Sequence, residues 1–388
     1  MSVQRALAFV ASVTALAGCT AVLGVRDIYL DPSAGEGGVD GGVTPDGSAP
    51  PDGSAPDTGP APTCAGADLQ TDAKHCGRCN HDCLGGKCEA GSCKAVLLVP
   101  GLDQPVALAV DAQSIYVTQY GSGTIIQTAK DGSSPKPIIT GQPNVQGVVI
   151  DGQTLYWSNR DFPADGNTRK GGVYKCTLPT CTAQLVSAAN FAVNVTKFGD
   201  QLFFGGNNES KLYQVKVDGT GRIELDATIN KPFGVATDGA HVYFTSQAST
   251  FYRVPVGGGA LQAMGSAAGP TVGLTVVDAT RVYWTTGDKV LGLDKATPQG
   301  VPTQYLSGGQ DAAGLAVDDA NVYWTNYLDA DGDLRFCPKV GACTGGGTAL
   351  AGGMIRPFTI TTDATAVYWV EEGLPGAGNG RLWKIAKP

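Results

Sequence analysis

The chain has 388 residues, of which only 16% are charged, and it contains 55 glycines and 23 prolines. This composition is typical of an all-β protein with many tight turns and disfavours a helical bundle. The net charge of −8 argues against nucleic acid as a partner, because an acidic surface repels phosphate backbones.

The first 19 residues have the organisation of an export signal. Residues 6–17 form an apolar run that is too short to span a bilayer but suits a signal-peptide core. The LAGC sequence of Leu16–Cys19 resembles the lipobox of bacterial lipoproteins. In that family the cysteine becomes the first residue of the mature protein, so the resemblance implies removal of residues 1–18. The resemblance implies lipidation of Cys19 and, with Thr20 following, an outer-membrane anchor that faces the periplasm or the cell surface. An ordinary secretory signal with an unrelated cysteine is the alternative.

Residues 19–63 are predicted to form an acidic, disordered tether behind the lipidated cysteine. From residue 32 onward Gly, Pro, Ala, Ser and Asp dominate, PDGSAP occurs twice in tandem, and aromatic residues are absent. Such a segment cannot bury enough apolar surface to form a core. Its charges from residue 32 onward are all negative, which together with the prolines favours an extended chain.

Residues 64–93 are predicted to be a small cysteine-rich module. Their few apolar side chains cannot support a fold without cross-links. An oxidising compartment favours three disulfides, whose pairing the sequence leaves open. Zinc is the alternative, because a Cys-x-x-Cys motif lies between His75 and His81. The segment resembles HCGxC-type modules of exported bacterial proteins. The six cysteines are Cys64, Cys76, Cys79, Cys83, Cys88 and Cys93.

From residue 94 onward, an apolar residue followed by an aromatic pair or near-pair recurs. The first aromatic residues of successive copies lie 40, 47, 40, 40, 40 and 45 positions apart. A period of about 40 residues, divided into four short strands, is the signature of a β-propeller. The copies of the motif begin at Ile115, Leu155, Leu202, Val242, Val282, Val322 and Val367. The sequence therefore predicts an all-β, seven-bladed β-propeller over residues 94–388.

The seventh repeat unit, which contains the motif at Val367, begins at Arg356 and has only three predicted strands. The apolar segment Ala95–Val99, upstream of the first copy, is predicted to supply the fourth and so to close the ring. The motifs, which include YWSN, YFTS, YWTT and YWTN, resemble the YWTD repeats of receptor propellers and the NHL-type repeats. The resemblance implies the fold and transfers no function.

In six of the seven copies an aspartate stands five residues before the first aromatic residue, and Phe198 replaces it in the third copy. We expect the aspartates to fix the following turn by accepting backbone N–H bonds, and the aromatic pairs to pack between blades. The last four cysteines form two close pairs at the same place in copies two and six. Disulfides across hairpins are predicted between Cys176 and Cys181 and between Cys337 and Cys343.

The predicted loops between the second and third strands vary most in length, so we expect a partner to bind this rim. Its candidate binding residues are Asp161, Asp165, Asp329, Asp331, Asp333, Glu371 and Glu372. Asp329, Asp331 and Asp333 also resemble the start of a calcium loop, although Val340 stands where an EF-hand has its glutamate. Calcium on these three carboxylates is the alternative to a solvated acidic turn.

Catalytic signatures are sparse. Two of the three histidines lie in the cysteine module, His241 lies in a predicted turn, and the sequence has no GxSxG, HExxH or P-loop motif. We predict no catalytic residue and no cofactor. The leading interpretation is a lipid-anchored binding or scaffolding protein of the cell envelope, whose partner is a protein or a polysaccharide. An envelope enzyme of the lyase or lactonase type, using loop carboxylates, is the first alternative, and a purely structural protein is the second.

Overall fold

The computed structural model describes residues 64, 66–160, 171–226, 229–247, 250–266, 273–306, 311–340, 343 and 346–388. The predicted signal peptide, lipidation site Cys19 and tether lie outside these described residues, as do Asp161 and Asp165. Within the described part, no helix is long and apolar enough to span a membrane.

The described strands form one two-stranded sheet and seven four-stranded sheets, so the predicted seven-bladed β-propeller is confirmed. The cysteine module contains β1 (Cys88–Glu89) and β2 (Ser92–Cys93), and β3 (Val96–Leu102) follows. Blade 1 contains β4 (Pro105–Val110), β5 (Ser114–Gln119), β6 (Thr124–Ala129) and β7 (Lys136–Ile139). Blade 2 contains β8 (Val145–Asp151), β9 (Thr154–Asn159), β10 (Gly172–Thr177) and β11 (Gln184–Ala188). Blade 3 contains β12 (Ala192–Phe198), β13 (Gln201–Gly206), a 3₁₀ turn (Asn207–Glu209), β14 (Lys211–Lys216) and β15 (Ile223–Asp226).

The remaining blades follow the same plan. Blade 4 contains β16 (Pro232–Thr237), β17 (His241–Ser246), β18 (Thr250–Pro255) and β19 (Gln262–Ser266). Blade 5 contains β20 (Thr275–Val277), β21 (Arg281–Thr285), β22 (Val290–Asp294) and β23 (Thr303–Leu306). Blade 6 contains β24 (Ala312–Val317), β25 (Asn321–Asn326), β26 (Gly332–Pro338) and β27 (Thr348–Met354). Blade 7 contains β28 (Pro357–Thr362), β29 (Ala366–Glu371) and β30 (Gly380–Ala386), and β3 completes it.

We name the four strands of each blade A to D in their order across the sheet. Neighbouring blades touch mainly through their A strands, so these strands surround the centre of the ring. Every residue of the A strands β4, β16, β24 and β28 is buried. Burial on both faces explains why these segments are runs of apolar and small residues instead of alternating patterns.

The ring closes in blade 7, as the sequence predicted. Strand β3 pairs antiparallel with β30, with Val96 opposite Lys384 and Leu97 opposite Trp383. It runs three residues beyond the predicted Ala95–Val99, to Leu102. The two ends of the propeller therefore share one sheet, and β30 has no open edge.

The aromatic pairs pack between blades, which confirms their predicted role. Trp157, Trp284, Trp324 and Trp369 are fully buried. Trp284 of blade 5 stacks on Phe251 of blade 4, with ring centroids 4.4 Å apart. Each such ring fills the space between adjacent sheets with a large apolar surface.

A hydroxyl group after the aromatic pair links neighbouring blades, a role that our sequence analysis did not assign. The Thr325 hydroxyl of blade 6 accepts the Gly314 N–H at 2.8 Å and donates to the Phe358 carbonyl oxygen of blade 7 at 2.6 Å. Gly314 makes this approach possible, since a Cβ atom there would lie 2.1 Å from the Phe358 oxygen. The same hydrogen bond to the blade's own A strand recurs at Thr118, Ser158, Thr245 and Thr285.

The cysteine module packs against the C-terminal end of the propeller. Three disulfides join Cys64 to Cys79, Cys76 to Cys88 and Cys83 to Cys93. Arg78 donates to the Pro388 carbonyl oxygen at 3.1 Å. The two ring nitrogens of His81 lie 2.6 and 2.8 Å from the carbonyl oxygens of Cys76 and Lys387. The disulfides use the cysteine sulfur atoms, and the carbonyl contacts use both ring nitrogens of His81, so the ligands that the zinc alternative required are already engaged.

Candidate functional site

The repeated aspartates hold the A–B turns, as predicted for five of the six. Asp318 Oδ1 accepts the backbone N–H groups of Ala320 and Asn321 at 2.9 and 2.8 Å. Its Oδ2 accepts the Tyr323 hydroxyl at 2.8 Å, so the first tyrosine of the motif is a second partner. The same contacts to the N–H three residues on and to this tyrosine recur at Asp111, Asp238, Asp278 and Asp363.

The prediction was wrong at Asp151. Gly152 follows it with φ of 54°, a left-handed conformation that glycine adopts without strain, and β8 continues through Asp151 into a tight turn. Asp151 and Thr154 are therefore paired residues of adjacent strands. The Asp151 carboxylate instead lies 2.7 Å from Lys197 Nζ on the A strand of blade 3.

A lysine from the next blade completes four of the aspartate turns. The Nζ–Oδ2 distances are 2.8 Å for Lys130–Asp363, 3.0 Å for Lys295–Asp238, 2.6 Å for Lys339–Asp278 and 2.9 Å for Lys387–Asp318. Each lysine is the residue directly after its blade's C strand. In the sequence, a lysine recurs at this position in four of the seven repeats, which could have indicated a shared role. The aspartate that each lysine pairs with is evident only from the arrangement of blades in the ring.

These ion pairs shift the acidity of the aspartates. Burial by itself would raise the pKa of Asp318, but hydrogen bonds from Lys387, Tyr323 and two backbone N–H groups outweigh it. The pKa of Asp318 therefore lies below its usual value. The pKa values of Asp238, Asp278 and Asp363 are lowered for the same reasons. All four carboxylates are ionised near neutral pH and link neighbouring blades.

The junction between blades 3 and 4 changes both partners together. Phe198 stands at the aspartate position and Val256 at the lysine position. The backbone identifies Val256 as the equivalent residue, because its N–H donates to the Ala240 carbonyl oxygen at 3.0 Å. The Lys295 N–H makes the corresponding bond to Thr280, also at 3.0 Å. Where the carboxylate is missing, the cation is missing too. We infer that the lysine position serves the aspartate across the junction.

The B–C loops lie on the opposite face, because the A–B and C–D turns of an antiparallel sheet share one end and the B–C and D–A loops share the other. There Glu371, a predicted binding residue, is only 1% exposed. Its carboxylate accepts the Ile355 N–H at 2.6 Å and the Trp383 indole N–H at 2.8 Å, and Arg381 lies 3.4 Å away. Glu371 therefore fixes the base of the loop and does not reach solvent.

Glu372 and Asp329 tie the B–C loops of blades 6 and 7 together. The Tyr327 hydroxyl of blade 6 donates to the Glu372 carboxylate of blade 7. Burial raises the pKa of Glu372, and the bond from Tyr327 only partly offsets this. Arg356, which lies between the two loops, binds Asp329 at 2.6 Å through its side chain. Its backbone N–H donates to Leu328 at 2.7 Å and its carbonyl oxygen accepts the Glu372 N–H at 2.9 Å.

The predicted calcium residues are largely engaged with protein groups. Asp333 accepts hydrogen bonds from Asn326 at 2.6 Å and from Arg335 at 2.7 Å, and Asp329 binds Arg356. Asp329 and Asp331 are both exposed, but in the described part of the chain only Asp331 of the three forms no ion pair. Calcium would have to displace two arginines to use all three carboxylates. Among described residues, the one group of three or more metal-ligand side chains with converging ligand atoms is Cys76, Cys83 and Cys93, and all three sulfur atoms are already in disulfides.

No protein-family model and no curated protein matches the sequence. Solved structures do match it. One is a chain of a nidogen/laminin complex, 15% identical, covering 62% of this chain and 95% of that one with a TM-score of 0.49. Another is the computationally designed Ika8 protein, 12% identical, covering 74% of this chain and 98% of that one with a TM-score of 0.55. At these identities the likeness concerns the fold alone.

The structure thus divides the predicted rim residues into two groups. Three carboxylates brace the loops from within or at their base: Asp333, Glu371 and Glu372. Asp329 pairs with Arg356 from the surface, because its side chain is 76% exposed. The tips of the loops lie outward, at Asp331 in blade 6 and at Leu374 in blade 7, whose side chain is 43% exposed. We call the surface formed by Asp329–Asp331 and Leu374–Gly378 the braced rim.

Proposed function

We propose that this protein is a non-catalytic binding or scaffolding protein that engages a protein partner through the braced rim. The supporting observation is the network of Tyr327, Glu372, Arg356 and Asp329, which joins two loops of different blades at the base of an exposed surface. Loops that are already ordered lose less conformational entropy when they bind, so more of the contact energy appears as affinity.

The chemistry of the braced rim suits a partner with basic and apolar groups. Asp331 presents a carboxylate, while Leu374, Pro375 and Ala377 are exposed apolar or small residues. Apolar contacts at the centre of an interface with charges at its edge are common in protein recognition. An envelope polysaccharide is the other partner class that the sequence suggested.

The proposed place of action is the cell envelope. Lipidation at Cys19 would anchor the protein in the outer membrane, and residues 19–63 would let the propeller reach a partner away from the bilayer. Support for this part comes from the amino-acid sequence of the first 63 residues.

The test compares partner capture by the native chain and a rim variant. A chain with Asp331→Lys and Leu374→Asp reverses the charge and removes the apolar tip, and neither side chain braces a loop. Leu185→Asp is the matched control, because Leu185 is 54% exposed on the outer strand of blade 2. Chemical cross-linking in envelope preparations should show at least about a tenfold loss with the rim variant and none with the control. Equal cross-linking by both would refute the rim as the binding surface.

A further inference from the structure

The junction between blades 1 and 2 keeps the aspartate of the turn but not the lysine that faces it at four other junctions. Asp111 accepts the Gln113 and Ser114 N–H groups at 2.8 and 2.7 Å and the Tyr116 hydroxyl at 2.8 Å. Leu178 stands at the lysine position, and its N–H donates to the Gln153 carbonyl oxygen at 2.8 Å.

The backbone at Leu178 matches that at the lysine sites. The Lys339 N–H donates to the Ala320 carbonyl oxygen, also at 2.8 Å, from the same place after the C strand. Lys339 then extends to Asp278 of the preceding blade at 2.6 Å. Asp111 lies in the position of Asp278, yet in the described part of the chain no lysine or arginine forms an ion pair with it. The junction between blades 1 and 2 therefore keeps the carboxylate and the backbone conformation of the lysine site but has no lysine there.

A pocket occupies the space beside this carboxylate, on the face opposite the braced rim. Its volume is about 610 Å³. Apolar walls come from Val110, Ile150, Leu178 and Pro179, and Asp111 and Tyr116 supply polar groups. The disulfide between Cys176 and Cys181 spans the hairpin that carries Leu178 and Pro179. This cross-link holds one wall in place, so the pocket is formed before any ligand enters.

We propose that this pocket binds a primary alkylammonium group supplied from outside the chain. The chain itself shows the fit, because four lysine side chains place the same group on the same carboxylate at 2.6–3.0 Å. An ammonium group on Asp111 would form a charge-assisted hydrogen bond, and its aliphatic stem would lie along Leu178 and Ile150. The ligand class is therefore a free aliphatic amine or a lysine side chain of a partner.

The direct test is binding of two probes to the purified full chain, followed by ligand-observed NMR and calorimetry. One probe is n-pentylamine and the other is Nα-acetyl-lysine amide, which distinguish a free amine from a lysine side chain. Binding of either supports the site. The neutral analogue n-pentanol should bind at least about tenfold more weakly than n-pentylamine, because it lacks the charge.

Two substitutions test the site itself. Asp111→Asn keeps an oxygen for the turn but removes the charge, and should weaken amine binding by about tenfold or more. Leu178→Lys should fill the pocket with the chain's own ammonium group, abolish amine binding and raise the thermal midpoint. Val256→Lys is the matched control, because it adds a lysine at the same backbone position opposite Phe198; it should leave amine binding and the midpoint unchanged.

The proposal is overturned if Asp111→Asn binds n-pentylamine as tightly as the native chain, or if n-pentanol binds equally well. Failure of Leu178→Lys to fold would leave Asp111→Asn as the deciding variant. The braced rim lies on the other face, so the rim variant should bind n-pentylamine normally. Failure of amine binding beside Asp111 and failure of partner binding at the braced rim can therefore be distinguished.

Discussion

Replacing Thr325 with valine should expose how strongly the buried hydroxyls hold the ring together. The Thr325 side chain is fully buried between blades 6 and 7. Its hydroxyl accepts from the Gly314 N–H and donates to the Phe358 carbonyl oxygen. Valine has nearly the same shape, so Thr325→Val removes both hydrogen bonds while leaving the packing in place.

The expected loss follows from the two backbone groups left without their hydroxyl partner. A buried polar group that loses its hydrogen bond costs about 1–3 kcal/mol, so the loss of two should lower the free energy of unfolding by about 2–6 kcal/mol. In a domain of this size each kcal/mol shifts the thermal midpoint by about 2 °C, which gives a decrease of about 4–12 °C.

Thr325→Ser is the matched control, because Ser158 holds the equivalent position in blade 2 and accepts the Gly147 N–H at 3.1 Å. The serine keeps the hydroxyl and loses one methyl group, which costs only about 1 kcal/mol. Urea unfolding followed by tryptophan fluorescence, with calorimetry alongside, measures both variants. If Thr325→Val is no less stable than Thr325→Ser, the hydroxyl does not link the blades as argued.

Three further predictions concern charge, ring closure and anchoring. The lowered pKa values of Asp238, Asp278, Asp318 and Asp363 stabilise the fold fully above about pH 5, and this stabilisation is lost as the pH falls below about 4 towards the folded values. Lys339→Met should lower the stability at pH 7 by about 2–3 kcal/mol and flatten its acid dependence; urea midpoints between about pH 3 and 7 that parallel the native curve would contradict this. Deleting β3 should open the edge of β30 and cause aggregation in size-exclusion chromatography, whereas a monomer with the native melting temperature would disprove the closure argument. Cys19→Ala should move the protein from the membrane to the soluble fraction, and retention on membranes would rule out lipidation as the anchor.

The architecture could be predicted because its signals repeat along the chain. The aromatic pairs recur at nearly constant spacing, which predicted seven blades. The three strands counted in the seventh copy then required a fourth, which was assigned to Ala95–Val99. The hairpin disulfides, Cys176–Cys181 and Cys337–Cys343, were predictable for the same reason, since each joins residues five or six positions apart. Local patterns of this kind reflect geometry within one repeat.

Contacts between repeats were decided by the tertiary structure. The sequence shows Lys130 and Asp363 as separate charges, but ring closure brings residues 233 positions apart to within 2.8 Å. Glu371 and Glu372 are adjacent in sequence and were both predicted to bind a partner, yet one fixes the base of its own loop and the other receives a hydroxyl from the neighbouring blade. The sequence by itself determined the blades, because their strand pattern is local. Only the ring determined which side chains face solvent, which brace a loop, and that Asp111 borders a pocket where four of its counterparts meet a lysine.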